Sequence, residues 1–497
     1  MTTMKRLFGV GGLMALGLVL LQSDCGSGTT TPVVDMASTP DLVTLPDFAP
    51  PPDLTTFAAP TVASVAPNLG INNVTTPITI TGTNFRAGAT VSVGGQACAN
   101  PSVTSPTTLT CTVAAKAVTC GRQDIVVTNP IDNQVATGAK LFTYRSNGIG
   151  FGAMTSLTAA ARPDMVVAVD LDNDGDLDLV NTNRNANSIT AFLNDGTGKF
   201  GAAKPFTTGT NPVGIAAGDL NGDKKADIVV ANFGTNTFSV LLGDGAGGFA
   251  AKVDTMLAGI NSIHEVALAD LNGDQKLDVV ALANANAAVA IRLGDGQGGF
   301  LATPPANVSV GNNPTFVAIA DLNGDTFMDL AVSAPGSNAV SVRTGDGKGV
   351  FTGTLNLTTG ANPGQVVIGD FTGDGKMDIL VTSQNAASVG LFAGNGNATF
   401  GAIANTGVGT NPIGLTARDL DLDGKLDFVT SNFNGANVSV LLGSGTGTFT
   451  AATGSPMTAA TGPFGNTVAD LNGDTLPDIV SANETAGTLS VFLQTCK

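Results

Sequence analysis

The run Asp219-Leu220-Asn221-Gly222-Asp223-Lys224-Lys225-Ala226-Asp227, with the apolar triplet Ile228-Val229-Val230 behind it, recurs throughout residues 146–497. Its first residue returns as Asp170, Asp219, Asp270, Asp321, Asp370, Asp419 and Asp470, at intervals of 49 or 51 residues. Spacing this regular marks one supersecondary unit repeated seven times.

Within each nine-residue loop, oxygen-bearing side chains fall at positions 1, 3, 5 and 9. They are Asp170, Asp172, Asp174 and Asp178; Asp219, Asn221, Asp223 and Asp227; Asp270, Asn272, Asp274 and Asp278; and Asp321, Asn323, Asp325 and Asp329. The last three loops have Asp370, Thr372, Asp374 and Asp378; Asp419, Asp421, Asp423 and Asp427; and Asp470, Asn472, Asp474 and Asp478. Glycine at position 4 or 6 permits a tight bend, and alternate residues of such a bend point their oxygens inward. Calcium takes six to eight hard oxygens in that arrangement, so up to seven Ca²⁺ ions are expected. A competing reading is seven ion-free Asp/Asn/Gly turns. Against it stands repulsion, because these positions hold 23 Asp, more than half of the 39 acidic residues. Position 7 varies among Asp, Lys, Phe and Leu, which fits a residue offering only its backbone carbonyl. The loops are not EF-hands: position 12 is Asn181 in the first and Val230 in the second, not a bidentate Glu.

Around each loop lie apolar strands such as Met165–Val169 and Leu177–Val180. A third strand, for example Phe238–Leu242, and a Gly-rich hairpin such as Gly243–Gly248 lead to Phe249 and a fourth. None of these hairpins continues as Gly-Lys-Ser/Thr into a helix, so turn chemistry outweighs a phosphate cradle. Four strands per unit of about 50 residues, seven times over, predict a seven-bladed β-propeller. The loop and spacing resemble the FG-GAP/VCBS repeat family, known from the integrin α-subunit propeller. The last repeat stops after Thr488–Leu493 without a fourth strand, so residues 149–158 are expected to pair onto it and close the ring.

Ahead of the repeats, residues 59–145 alternate in the manner of a small β-sandwich, as in Ile78-Thr79-Ile80-Thr81 and Thr90-Val91-Ser92-Val93. With Val65-Ala66-Pro67, Ile80-Thr81-Gly82-Thr83-Asn84-Phe85, Val93-Gly94-Gly95, Cys98 and Cys111, this unit resembles the IPT/TIG family of immunoglobulin-like domains. The fold class is therefore all-β: a seven-bladed β-propeller preceded by an Ig-like β-sandwich.

Lys5 and Arg6 precede an uncharged apolar run, Leu7–Leu21, short for a membrane span and suited to an export signal. Residues 1–25 resemble a bacterial lipoprotein signal, which implies lipidation of Cys25. Gln22 and Asp24 depart from the usual pattern, and ordinary cleavage leaving Cys25 free is the alternative. Residues 26–58, dense in Pro, Thr and Asp, read as an extended tether. Four further cysteines, Cys98, Cys111, Cys120 and Cys496, suit an exported chain and allow three pairings. Hairpin-like spacing favours Cys98 with Cys111, which leaves Cys120 to staple the sandwich to Cys496.

A net charge of −17 argues against nucleic acid. Membrane contact is expected only through the lipid anchor, and the chain is expected to be a monomer. The lone histidine, His264, stands beside Glu265; a catalytic pair is the sharper reading and a satisfied loop residue the plainer one. Arg418, where other repeats have small residues or Val, suggests a ligand contact or an ion pair with a loop Asp. No Trp and a single Tyr weaken a lectin role. Resemblance to integrin-like propellers implies ligand approach on the face opposite the Asp loops. There Asn183, Asn185, Asn187, Asn211, Asn236, Asn313, Asn362, Asn411 and Asn434 collect, although Asn also suits tight turns. The expectation is a calcium-stabilised surface module that binds a protein or glycan, found at the cell surface or secreted. The alternative is an extracellular hydrolase or lyase with a pocket in the propeller.

Overall fold

The alternating strands of the N-terminal unit pair into two sheets. One joins Thr61–Ala66, Thr76–Thr83, Thr108–Val113 and Ala99–Ser105; the other carries Gly121–Thr128 between Thr90–Val93 and Val135–Arg145. Their inward residues, among them Ile80, Leu109, Ile125, Phe142 and Tyr144, form one buried core. The chain is described by a computed structural model covering residues 58–116, 120–130, 133–145 and 148–496. The expected signal with Cys25, and the tether up to residue 57, lie outside the described residues.

The seven repeats fold as seven antiparallel sheets. In the first, strands Pro163–Val169, Asp178–Asn183, Ser188–Phe192 and Lys204–Thr207 lie side by side in chain order. The second strand of every sheet begins at the position-9 Asp and is buried along its whole length: Asp178–Asn183, Asp227–Asn232, Asp278–Ala283, Asp329–Ala334, Asp378–Ser383, Asp427–Asn432 and Asp478–Asn483. Burial on both faces explains why the two residues after the Asp are apolar in every one of these strands rather than alternating; further along, six of the seven strands bury Asn, Thr or Ser as well.

The first strands pack in succession: Pro163–Val169 beside Pro212–Gly218, and so on to Pro412–Arg418 beside Pro463–Ala469. The last of them, Pro463–Ala469, also packs beside the first. The seventh sheet takes its fourth strand from ahead of the first repeat. Thr155–Thr158 pairs with Thr488–Phe492, and Ile149–Phe151 pairs with Gln494–Cys496. Residues 149–158 thus supply strands to the last repeat, as their sequence suggested.

Two disulfides are formed. Cys98 joins Cys111 within the sandwich, and Cys120 joins Cys496, tying the sandwich to the final strand of the repeats. The amide of Arg122 donates to the Thr475 hydroxyl at 3.0 Å in the seventh loop. A side chain at Gly121 would collide with that same hydroxyl and with the Asp474 carbonyl. The sandwich therefore rests on the seventh loop through backbone.

Candidate metal centre

Each Asp loop is shaped by two residues in the left-handed region, at positions 4 and 6. Position 4 has φ from 60° to 80° at Asn173, Gly222, Gly273, Gly324, Gly373, Leu422 and Gly473. Position 6 has φ from 64° to 94° at Gly175, Lys224, Gln275, Thr326, Gly375, Gly424 and Thr475. Sequence placed glycine at one position or the other; the backbone needs the conformation at both. Leu422, Thr326 and Thr475 adopt it without glycine, and for a branched residue that is an outlier.

The double reversal turns backbone N–H groups onto the acidic side chains. Asp270 accepts from Asn272, Gly273 and Asp274 through one oxygen and from Gln275 through the other, at 2.7–3.2 Å. At position 5, Asp174, Asp223, Asp274, Asp325, Asp374, Asp423 and Asp474 each accept the amide of position 7.

Position 9 does something that sequence reasoning missed. In all seven loops one of its oxygens accepts the amide of position 2 and the other accepts an amide sixteen residues on, at the start of the Gly-rich hairpin in the first six repeats and at Gln494 in the seventh. All fourteen bonds measure 2.7–2.9 Å. Asp178, Asp227, Asp278, Asp329, Asp378, Asp427 and Asp478 are thus buried clamps between the loop and the chain at the end of the third strand. A carboxylate has about four acceptor sites, so a clamp retains capacity for a metal. Burial pushes Asp178 up to about 6, and Asp427 and Asp478 up to about 7.

Among the described residues, two groups of three carboxylates bring ligand oxygens within 4.8 Å of one another: Asp170, Asp172 and Asp178, and Asp419, Asp421 and Asp423. The expectation of seven ions narrows here to two acidic clusters. The other five loops have Asn or Thr at position 3, which removes the carboxylate that completes the group. Asn323 and Asn472 turn their amide NH₂ groups to Asp325 and Asp474, at 2.9 and 3.1 Å, and the Thr372 hydroxyl donates to Asp374 at 3.2 Å.

Cations stand close to four of the loops. Position 7 is not indifferent: Lys225, Lys276, Lys376 and Lys425 bring their ammonium groups 3.0–3.9 Å from the position-5 carboxylates Asp223, Asp274, Asp374 and Asp423. The sixth loop has a second cation that no local pattern announced. Arg145, the last residue of the sandwich, places Nη1 3.2 Å from Asp421 and 3.8 Å from Asp423. Only the first loop has an acid, Asp176, at position 7. There Asp172 Oδ1 is buried with no hydrogen-bond partner, and burial, then Asp174, pushes the carboxyl up. Asp470 Oδ1 in the seventh loop is likewise buried and unsatisfied. An oxygen cluster with orphaned acceptors fits a hard cation.

The remaining candidates fall elsewhere. His264 Nδ1 lies 3.0 Å from the Thr315 carbonyl, while Glu265 accepts its neighbour's amide and leaves Oε2 unbonded, so no hydrogen bond joins the two side chains. Burial lowers His264 to about 4 and raises Glu265 to about 8. Arg418 reaches the Val468 carbonyl at 3.4 Å instead of a loop Asp. Asn187, Asn211, Asn236, Asn313, Asn362 and Asn411 all have φ between 53° and 58°, which is turn chemistry, and Asn183 is buried against Ser188 and Thr190.

Comparison with known proteins agrees with this anatomy. The FG-GAP-like repeat family matches residues 121–181, 170–230, 219–281, 270–332, 321–381, 370–430 and 419–481, and the IPT/TIG domain matches 60–144. No curated protein matches the chain. Among solved structures, BBS1N in complex with ARL6DN is similar in fold (TM-score 0.51, 12% identity, covering 70% of this chain and 97% of that one). A Lactobacillus plantarum protein gives TM-score 0.49 at 14% identity, over 75% of this chain and 98% of its own. An auxiliary nutrient binding protein from Bacteroides ovatus gives 0.39 at 12%, over 88% and 98%. With its seven matched units, the chain belongs to the FG-GAP-like repeat family and carries an IPT/TIG domain in front of the repeats.

Proposed function

We propose that the protein is an exported, calcium-stabilised binding module without catalytic activity, its seven sheets closed into a seven-bladed propeller. The succession of packed first strands, with the last beside the first, supports closure. The observation that carries the calcium reading is the first loop. Five Asp side chains occupy nine residues, none has a cation in the described ion pairs, and a buried oxygen of Asp172 has no partner. Asp170, Asp172 and Asp178 would hold the ion there, and Asp419, Asp421 and Asp423 in the sixth loop. The five loops with Asn or Thr at position 3 are weaker sites of the same design. Bound calcium supplies positive charge and links between oxygens; the chain itself supplies the rigid turn, through the clamp and the two left-handed residues.

Export and a surface location are supported by the signal-like N-terminus and the two disulfides; an extracellular module of this kind is expected to bind calcium at about 10⁻⁴–10⁻³ M. The ligand, a protein or glycan of the cell surface, is placed by this reading on the face opposite the Asp loops. Thermal unfolding with millimolar calcium and with chelator tests the metal claim. Each occupied site contributes on the order of 1 kcal/mol at millimolar calcium, so the melting temperature drops by several degrees in chelator. An unchanged melting curve, with no heat of calcium binding, sinks it.

A further inference from the structure

We propose that Arg145 competes with a divalent cation for the sixth loop, so that metal entering this loop releases the end of the sandwich from the repeats. This rests on the calcium reading above. Asp421 Oδ1 already accepts the Asp423 amide, and Asp423 Oδ1 accepts the Lys425 amide. That leaves the Oδ2 atoms as the freest oxygens for a cation; both face the Arg145 guanidinium, and Lys425 Nζ also lies 3.2 Å from Asp423 Oδ2. A calcium ion bound to them at about 2.4 Å would sit against a like charge, in a place where the Asp421 and Asp423 side chains are only 15% and 13% exposed. Guanidinium and metal cannot share it. A cleft lined by Asn68, Arg122, Thr143, Asp419, Leu422 and Asp423 gives access to the cluster.

The consequence is a pivot and not a detachment. Cys120–Cys496 and the Arg122–Thr475 bond hold the sandwich on the seventh repeat, at its final strand and its loop, whatever happens at the sixth. Arg145 ends the long strand Val135–Arg145, and its carbonyl also accepts the Asn72 amide at 2.9 Å. Displacing the guanidinium therefore loosens this strand end and its parallel neighbour, Leu69–Ile71. Coupling is reciprocal: the factor by which Arg145 weakens calcium is the factor by which calcium weakens the contact.

The test uses the full chain, titrated with calcium by calorimetry, as wild type and Arg145→Gln. Asp172→Asn serves as a marker that removes the first loop from the titration. The substitution should tighten one site roughly tenfold or more, the Coulomb cost of a neighbouring unit charge, and leave the first-loop site unchanged. Hydrogen exchange in Leu69–Ile71 and near Arg145 should quicken with calcium in the wild type and be indifferent to it in Arg145→Gln. Equal or weaker calcium affinity in folded Arg145→Gln, or exchange that slows with calcium in the wild type, overturns the proposal while the first-loop site still stands. Absence of calcium binding in every variant overturns the metal reading and this inference together. If Arg145→Gln fails to fold, Arg145→Met removes the charge and keeps much of the apolar stem; an affinity equal to wild type in that variant also counts against the rivalry.

Discussion

The first and sixth loops are almost the same sentence: Asp-Leu-Asp-Asn-Asp-Gly-Asp-Leu-Asp at 170–178 and Asp-Leu-Asp-Leu-Asp-Gly-Lys-Leu-Asp at 419–427. They differ at positions 4 and 7, yet their electrostatics diverge. The first gathers five carboxylates and a buried unsatisfied oxygen. The sixth has four, answered by Lys425 from its own turn and Arg145 from another domain. Loops with the same acidic ligand positions thus differ in the cations that the rest of the fold delivers to them.

The largest effect should come where the two loops are alike. Asp178→Ala and Asp427→Ala each orphan two buried amides, and each should cost about 2–5 kcal/mol in chelator by denaturant unfolding. Similar losses keep the clamp common to both loops; a negligible loss at either breaks it. Next, exchanging position 7 should transfer character. Asp176→Lys should weaken first-loop calcium binding roughly tenfold, and Lys425→Asp should strengthen the sixth, both read by calorimetry.

The third way to sharpen the comparison is pH. Asp178 rises to about 6 and Asp427 to about 7 through burial, above the ordinary carboxylate value. The folded, chelated protein therefore binds protons that the unfolded chain has released, so this contribution to stability is complete only below about pH 4, falls as pH climbs from there through 6–7, and levels off above. Calcium reverses the slope, because the metal needs the carboxylates ionised. Melting curves from pH 5 to 8 that run parallel with and without calcium contradict this. The smallest effect is conformational: Thr326→Gly, at φ 74°, should gain about 0.5–1 kcal/mol by relieving a β-branched residue in the left-handed region.

Much of this was readable in the chain. The period of 49 or 51 residues, the acidic positions and the strands around them were visible because repetition multiplies a weak local signal by seven. The clamp was legible as an Asp but not as a clamp, since its second partner lies sixteen residues on, across a strand. Lysine at position 7 in four loops was a signal, read as indifference. Arg145 could not be found by any local rule, because only the packing of the sandwich on the repeats brings it to Asp421. The Asn residues of the other face mostly proved to serve turn geometry, where a short polar side chain tolerates positive φ.

Hydrogen bonds between neighbouring repeats carry a last lesson. In five successive pairs, the position-2 carbonyl of one loop takes a backbone N–H from the next repeat's hairpin: Leu171 from Gly247, Leu220 from Gly298, Leu271 from Gly349, Leu322 from Ala398 and Phe371 from Gly447. At the two remaining junctions a side-chain amide does this work, Gln494 for Leu420 and Asn194 for Leu471. Through these bonds the second to fifth units are joined on both sides by backbone, as bricks in a course of masonry, whereas the sixth, seventh and first are keyed to one another by side chains. Exchanging one whole unit for another should therefore be tolerated best among the second to the fifth, with the keyed units left unchanged.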